Sequence, residues 1–212
     1  RKVIFEEINL YRDNPQHHIF NEINKLLYGK PLGIPLIGTR ETLSSLTREK
    51  IVKRFKEVYQ PGNMILCVVG GVEFEDIIKF AENNFKKGKG KIPRFKIKKI
   101  NGSKIEERKG IDQANLVLAY HIPTSKDKRN HAAFVLNVLM AGGMSSRLFD
   151  EIREKRNLAY SVKGGCSIHR EFADSLIYVG TSKENVDKVK KIILEEFGKI
   201  SKELTEKELN QV

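Results

Sequence analysis

Only two cysteines, Cys67 and Cys166, occur among the 212 residues. Two thiols so far apart exclude the disulfide framework of a small secreted domain. No apolar run approaches the roughly 18 residues that a membrane-spanning helix needs, so no membrane span is expected. The longest run, Met64 to Val69, has the length of a buried strand, and Cys67 inside it reads as a small buried apolar residue. Acidic residues are outnumbered, 27 against 39 basic ones, which gives a formal charge of +12. Such a charge raises nucleic acid or an anionic surface as partners. Much of the excess is confined to residues 86–99, whose two glycines and one proline read as a solvated linker. The chain also lacks an aromatic platform or a recognition-helix signature, so nucleic acid is not the expected partner. With 40% apolar and 31% charged residues, a globular rather than disordered chain is expected. No secretory signal is visible, but the first residue is Arg1, and the natural N-terminus is expected upstream. Localisation is left open, with the cytoplasm favoured.

What is present is a sequence of alternating helical and strand patterns. Val3, Ile4, Ile8 and Tyr11 mark a first helix. Asn14-Pro15 then supplies an N-cap and a first helical position for a second, carrying Ile19, Phe20, Ile23, Leu26 and Leu27. A Pro/Gly-rich loop over 31–39 follows. Thr47 caps a helix with a stripe of Ile51, Val52, Phe55, Val58 and Tyr59. Pro61-Gly62-Asn63 turns the chain into the expected strand 64–70, and Phe74, Ile77, Ile78, Ala81 and Phe85 give the next helix.

The second half restarts with a strand within 111–122 and an apolar helix over 127–141. Two antiparallel strands follow, Leu158 to Ser167 and Ser175 to Thr181. Ser182 is placed to cap a helix carrying Val186, Val189, Ile193, Phe197 and Ile200. Thr205 and Glu208 form a capping-box pattern for a last helix. This order predicts an α+β fold of two similar domains, each a mostly antiparallel sheet packed with helices, the first domain incomplete. The expected division is 1–92 for the rear part of the first domain, 93–102 for a basic linker and 103–212 for most of the second.

Chemistry has few places to reside. His17 and His18 are adjacent and point about 100° apart on a helix. His18 lies eleven residues from Glu7, which is about 16 Å even along an unbroken helix, too far to share one metal ion. His121, His131 and His169 are scattered, without a partner three or four residues away. A Glu6-Glu7 pair early in a helix ordinarily complements the dipole and faces water. Arg153 and Tyr160 stand seven residues apart, at a turn between a charged helix and a strand. An arginine or a tyrosine hydroxyl can stabilise a developing oxyanion, although an ion-paired surface arginine and a packed tyrosine would read the same locally.

The stretch 147–162, with Ser146-Arg147-Leu148-Phe149 before Arg153 and Leu158-Ala159-Tyr160-Ser161-Val162 after it, resembles the insulinase and mitochondrial-processing-peptidase family. Arg1-Lys2-Val3-Ile4-Phe5-Glu6-Glu7, the loop through Gly38 and the Tyr59-Gln60-Pro61-Gly62-Asn63-Met64 turn follow in that family's order. The family consists of zinc peptidases of the inverted His-x-x-Glu-His type, and that motif is nowhere in this sequence. The resemblance implies zinc in the complete protein, with Glu7 as the metal ligand contributed here. It implies that Arg153 and Tyr160 stabilise substrate and oxyanion, facing the zinc site of a partner. Asn157 stands where the family usually has glycine, and asparagine tolerates the left-handed conformation such a turn needs.

The function so implied is that of a portion of a zinc-dependent endopeptidase cleaving peptides or unfolded segments in a closed chamber, inactive by itself. The expected partners are a peptide substrate and another family chain, as a homo- or heterodimer. The alternative is a non-catalytic relative that acts as an assembly or substrate-holding subunit.

Overall fold

The computed structural model describes every residue except Lys87, residues 89–95 and Gln211. Residues 93–95 of the expected linker, and Lys87 with 89–92 of the basic stretch before it, therefore lie outside the described residues. In chain order the elements are α1 (Lys2–Asp13), α2 (Pro15–Leu27), α3 (Arg40–Ser44), α4 (Arg48–Val58), α5 (Phe74–Asn84), β1 (Gln113–His121) and α6 (Asn130–Ala141). A π-helical turn (Phe149–Glu154) follows, then β2 (Ala159–Ile168), β3 (Ala173–Ser182), α7 (Val186–Glu203) and α8 (Glu206–Leu209). The class is α+β, helices with an antiparallel sheet, as the patterning predicts. Two compact units emerge, one of Lys2–Ile37 with Ile97–Val212, the other of Gly38–Lys96 with Arg1.

The first unit is built on a three-stranded sheet of order β1-β3-β2, antiparallel throughout. β3 is central, so both its edges are paired, and both its faces are covered as well. Ile177 and Val179 point to one side and are fully buried with Leu148, Ile152, Val189 and Ile193, under α6, α7 and the π-turn. Burial is worth roughly 1.5–3 kcal/mol for each such aliphatic side chain. One residue over, the period of two turns Tyr178 to the opposite face, where its ring meets Phe20 of α2 with centroids 5.6 Å apart. Helix α2 starts where Asn14 accepts from the His17 amide at 3.0 Å, with Pro15 beside it. At its other end Tyr28 bridges Lys99 and donates its hydroxyl to Asp174.

Two details differ from expectation. Ser182 does not cap α7 through a backbone amide. A 3-10 turn over Lys183–Asn185 intervenes, and the Ser182 hydroxyl accepts from the Asn185 side chain at 3.0 Å. The charged helix expected around Arg153 is instead closed by a bond from the Lys155 amide to the Asp150 carbonyl, 2.8 Å, one residue wider than an α-turn. The capping box of α8 forms as its sequence predicts.

The other unit holds α3, α4 and α5. Thr39 and Thr47 cap α3 and α4 by accepting from the Thr42 and Lys50 amides. Asn63 closes the following turn by donating to the Val58 carbonyl at 2.9 Å. The strand expected over 64–70 is not formed. Residues 64–69 form neither helix nor strand, with no ladder partner among the described residues. A strand is defined by its neighbour's amides and carbonyls, and among the described residues this unit shows no strand to supply them. Cys67, expected to be buried, is exposed. Ile51, Phe55 and Tyr59 of the α4 stripe are likewise more than half exposed, since no sheet stands against them among the described residues of this unit.

Candidate functional site

Glu7 sits in the middle of α1, and four residues on the Tyr11 hydroxyl donates to its Oε1 at 3.3 Å. The spacing of four puts both side chains on one face of the helix. That face borders an open cleft of about 470 Å³ lined by Glu7, Tyr11, His17, Phe20, Asn21, Leu36 and Ile37. The Tyr11 and His17 rings lie 5.4 Å apart and continue the wall from α1 to α2. His18 turns away to Glu106, 3.1 Å from its Nε2. Glu106 is also held by Lys104, and the two contacts bring its carboxyl down to about 2.

A structural zinc site needs four protein donors, and a catalytic one needs three with an open position. Among the described residues no group of three or more histidine, cysteine, aspartate or glutamate side chains could hold a metal ion. Glu7 has a hydroxyl beside it, and His17 lines the same cleft, but the two fall short of the three donors a catalytic site needs. The described residues do not by themselves fit zinc.

Arg153 and Tyr160 are brought together. The π-turn carries Arg153, Asn157 reverses the chain, and β2 begins at Ala159. Asn157 adopts φ 50°, the left-handed conformation for which its side chain suits it. Its amide donates to the Arg153 carbonyl at 2.9 Å, and the Leu158 amide donates to Ile152 at the same distance. The Arg153 guanidinium donates in turn to the Tyr160 carbonyl at 3.0 Å. Its other side rests over the Phe149 ring, 5.0 Å from the centroid. Tyr160 itself is 68% exposed. The cleft at Glu7 includes neither Arg153 nor Tyr160.

Sequence reasoning passes over Tyr11 as a polar partner and Phe149 as an aromatic one. Both lie four residues from the group they touch, so helical spacing would have found them. The contact of Tyr28 with Asp174 has no such local signal.

The family profile described as the peptidase M16 inactive domain matches residues 45–212. An uncharacterized zinc protease of Bacillus subtilis, YmxG, is 32% identical over 99% of this chain and 52% of its own length. An uncharacterized zinc protease of Rickettsia felis is 32% identical over 98% of the chain and 51% of its own length. A solved protease from Helicobacter pylori superposes with a TM-score of 0.85 at 24% identity, over 99% of this chain and 53% of that one. It shares the fold. The chain belongs to the M16, insulinase-type peptidase family, and the part it matches there is the domain described as inactive. It spans about half the length of the curated relatives it matches.

Proposed function

We propose that this chain is one portion of a zinc-dependent endopeptidase that hydrolyses peptides or unfolded segments in a closed chamber. In this reading residues 1–92 belong to the domain that bears the metal, and 103–212 form most of a second, inactive-type domain. Glu7 supplies one ligand to a zinc site whose other donors lie outside these residues. Arg153 and Tyr160 face the reacting centre of a partner chain, in a homo- or heterodimer. There they donate hydrogen bonds to the carbonyl oxygen on which negative charge develops.

The observation that carries this reading is the state of Arg153. It is an exposed arginine with no carboxylate partner among the described residues, held between an aromatic ring and a main-chain carbonyl. A surface arginine that served only solubility would gain nothing from two restraints. A donor that must meet a bound peptide gains preorganisation. The zinc-protease names of relatives at 32% identity agree with it.

The test is peptide cleavage by the complete protein, with and without a chelator, beside Glu7→Gln. Chelator-sensitive cleavage that collapses in Glu7→Gln supports the reading. Absence of cleavage in a folded, zinc-supplied protein would replace it with the non-catalytic assembly or substrate-holding role.

A further inference from the structure

We infer that Phe149 is the positioning residue for Arg153, fixing the direction in which the guanidinium meets a bound peptide; this rests on the function proposed above. The π-turn is anchored from behind by Leu148 and Ile152, both with no exposed surface. It is braced at its end by Glu151, which binds Lys155 at 2.6 Å and also pairs with Arg156. Phe149 is itself 8% exposed, so its ring is a fixed surface rather than a mobile one. Widening the turn by one residue brings a side chain more nearly above its fourth neighbour than an α-turn does. Phe149 and Arg153 are such a pair.

The guanidinium is planar and carries five donors. One edge is committed to the Tyr160 carbonyl, and the guanidinium carbon lies over the Phe149 ring, 5.0 Å from its centroid. What is left to offer is the remaining edge, with the guanidinium held at two points. The acceptor this suits is a carbonyl oxygen of an extended peptide, approached from the side away from β2. Leucine at 149 would fill the core but give the cation no quadrupole to rest on. The arginine would then sample rotamers that miss the acceptor, and the loss would fall on turnover rather than on substrate affinity.

The experiment compares Phe149→Leu and Phe149→Tyr in the complete protein, with Arg153→Lys alongside. Two readouts are taken: peptide hydrolysis, split into kcat and KM, and the rate at which phenylglyoxal modifies Arg153, resolved by peptide mass spectrometry. Arg170, whose side chain is 81% exposed, is the internal standard for reagent access. Phe149→Leu is expected to lower kcat about two- to five-fold with KM unchanged, and to speed modification of Arg153 by a similar factor. Phe149→Tyr, which keeps the ring, restores both. Should leucine loosen the core, Phe149→Met carries the same comparison. If modification of Arg153 is unchanged in Phe149→Leu and Phe149→Met, the ring does not hold the cation and the inference falls. If modification speeds up but Arg153→Lys cleaves like wild type, the proposed function of Arg153 fails, and the positioning of a catalytic group falls with it. A drop in kcat without faster modification would also overturn the inference, since the effect would not run through Arg153.

Discussion

Tyr28 donates its hydroxyl to Asp174 at 2.8 Å across 146 residues of sequence, and both side chains are buried. The contact fastens the C-terminal end of α2 to the start of β3, beside His121, whose ring meets that of Tyr28 edge-on at 5.2 Å. Burial first, and the neighbouring carboxylate second, push the Tyr28 hydroxyl well above the usual tyrosine range. Glu7 is carried on the helix that precedes α2, so the placement of the cleft depends on this fastening.

Tyr28→Phe should therefore destabilise the chain by about 1–3 kcal/mol, the cost of leaving a buried acceptor without its donor. The sign of the pH effect is also defined. Above the ordinary tyrosine value of 10.0 the unfolded chain loses this proton while the folded one keeps it, so stability falls as pH rises past 10. Denaturant titrations of both proteins between pH 8 and 11, a range of about three units around the model-peptide value, should show the alkaline loss reduced in Tyr28→Phe. An identical alkaline slope in the two would exclude Tyr28 as its source.

A second expectation concerns α8. Arg147 binds Glu208 at 2.7 Å and holds its carboxyl down at about 2, with the capping-box amide of Thr205 adding to the effect. A lowered carboxyl contributes stability that is complete above its unfolded value of 4.5 and is lost as pH falls toward 2. The difference in melting temperature between wild type and Glu208→Gln should accordingly be largest at neutral pH and shrink through that interval. A constant difference would mean that packing, not charge, is what the substitution removes.

At Asn157 the backbone decides. Asn157→Gly should leave stability within about 0.5 kcal/mol, because glycine enters the left-handed region freely. Asn157→Val should cost at least about 1–2 kcal/mol. Equal melting temperatures for the two variants would show that φ relaxes in solution.

The thiols give a chemical check on the fold. Cys67 is exposed, whereas Cys166 on β2 is half-buried and burial pushes its thiol up. Alkylation at neutral pH should label Cys67 first, because the thiolate is the reactive form. Preferential labelling of Cys166 would contradict the exposed course of residues 64–69.

Much of this was legible because the determinants are local. Asn14-Pro15, Thr47 and the Thr205/Glu208 pair announce helix starts, and each forms the bond its chemistry predicts. The strands β2 and β3 were marked by their residue types, and Asn157 by the turn between Arg153 and Tyr160. The site was legible in its members more than in its geometry. Glu7, Arg153 and Tyr160 stand out by resemblance, but the π-turn depends on which carbonyl an amide selects, a choice decided by the packing of Leu148 and Ile152. Residues 64–69 were misread for a related reason. Their composition states a preference for pairing, and a preference is satisfied only by a partner that no local pattern can supply.

That stretch has a consequence for how these 212 residues behave by themselves. Met64, Ile65, Leu66, Cys67, Val68 and Val69 carry no charge and no proline, and Ile65 and Val69 are 97% and 95% exposed. This is the signature of a segment that templates its own stacking into fibrils. Left uncovered, such a stretch would pair with copies of itself, and its tendency to do so would set the concentration at which these 212 residues on their own stay dispersed.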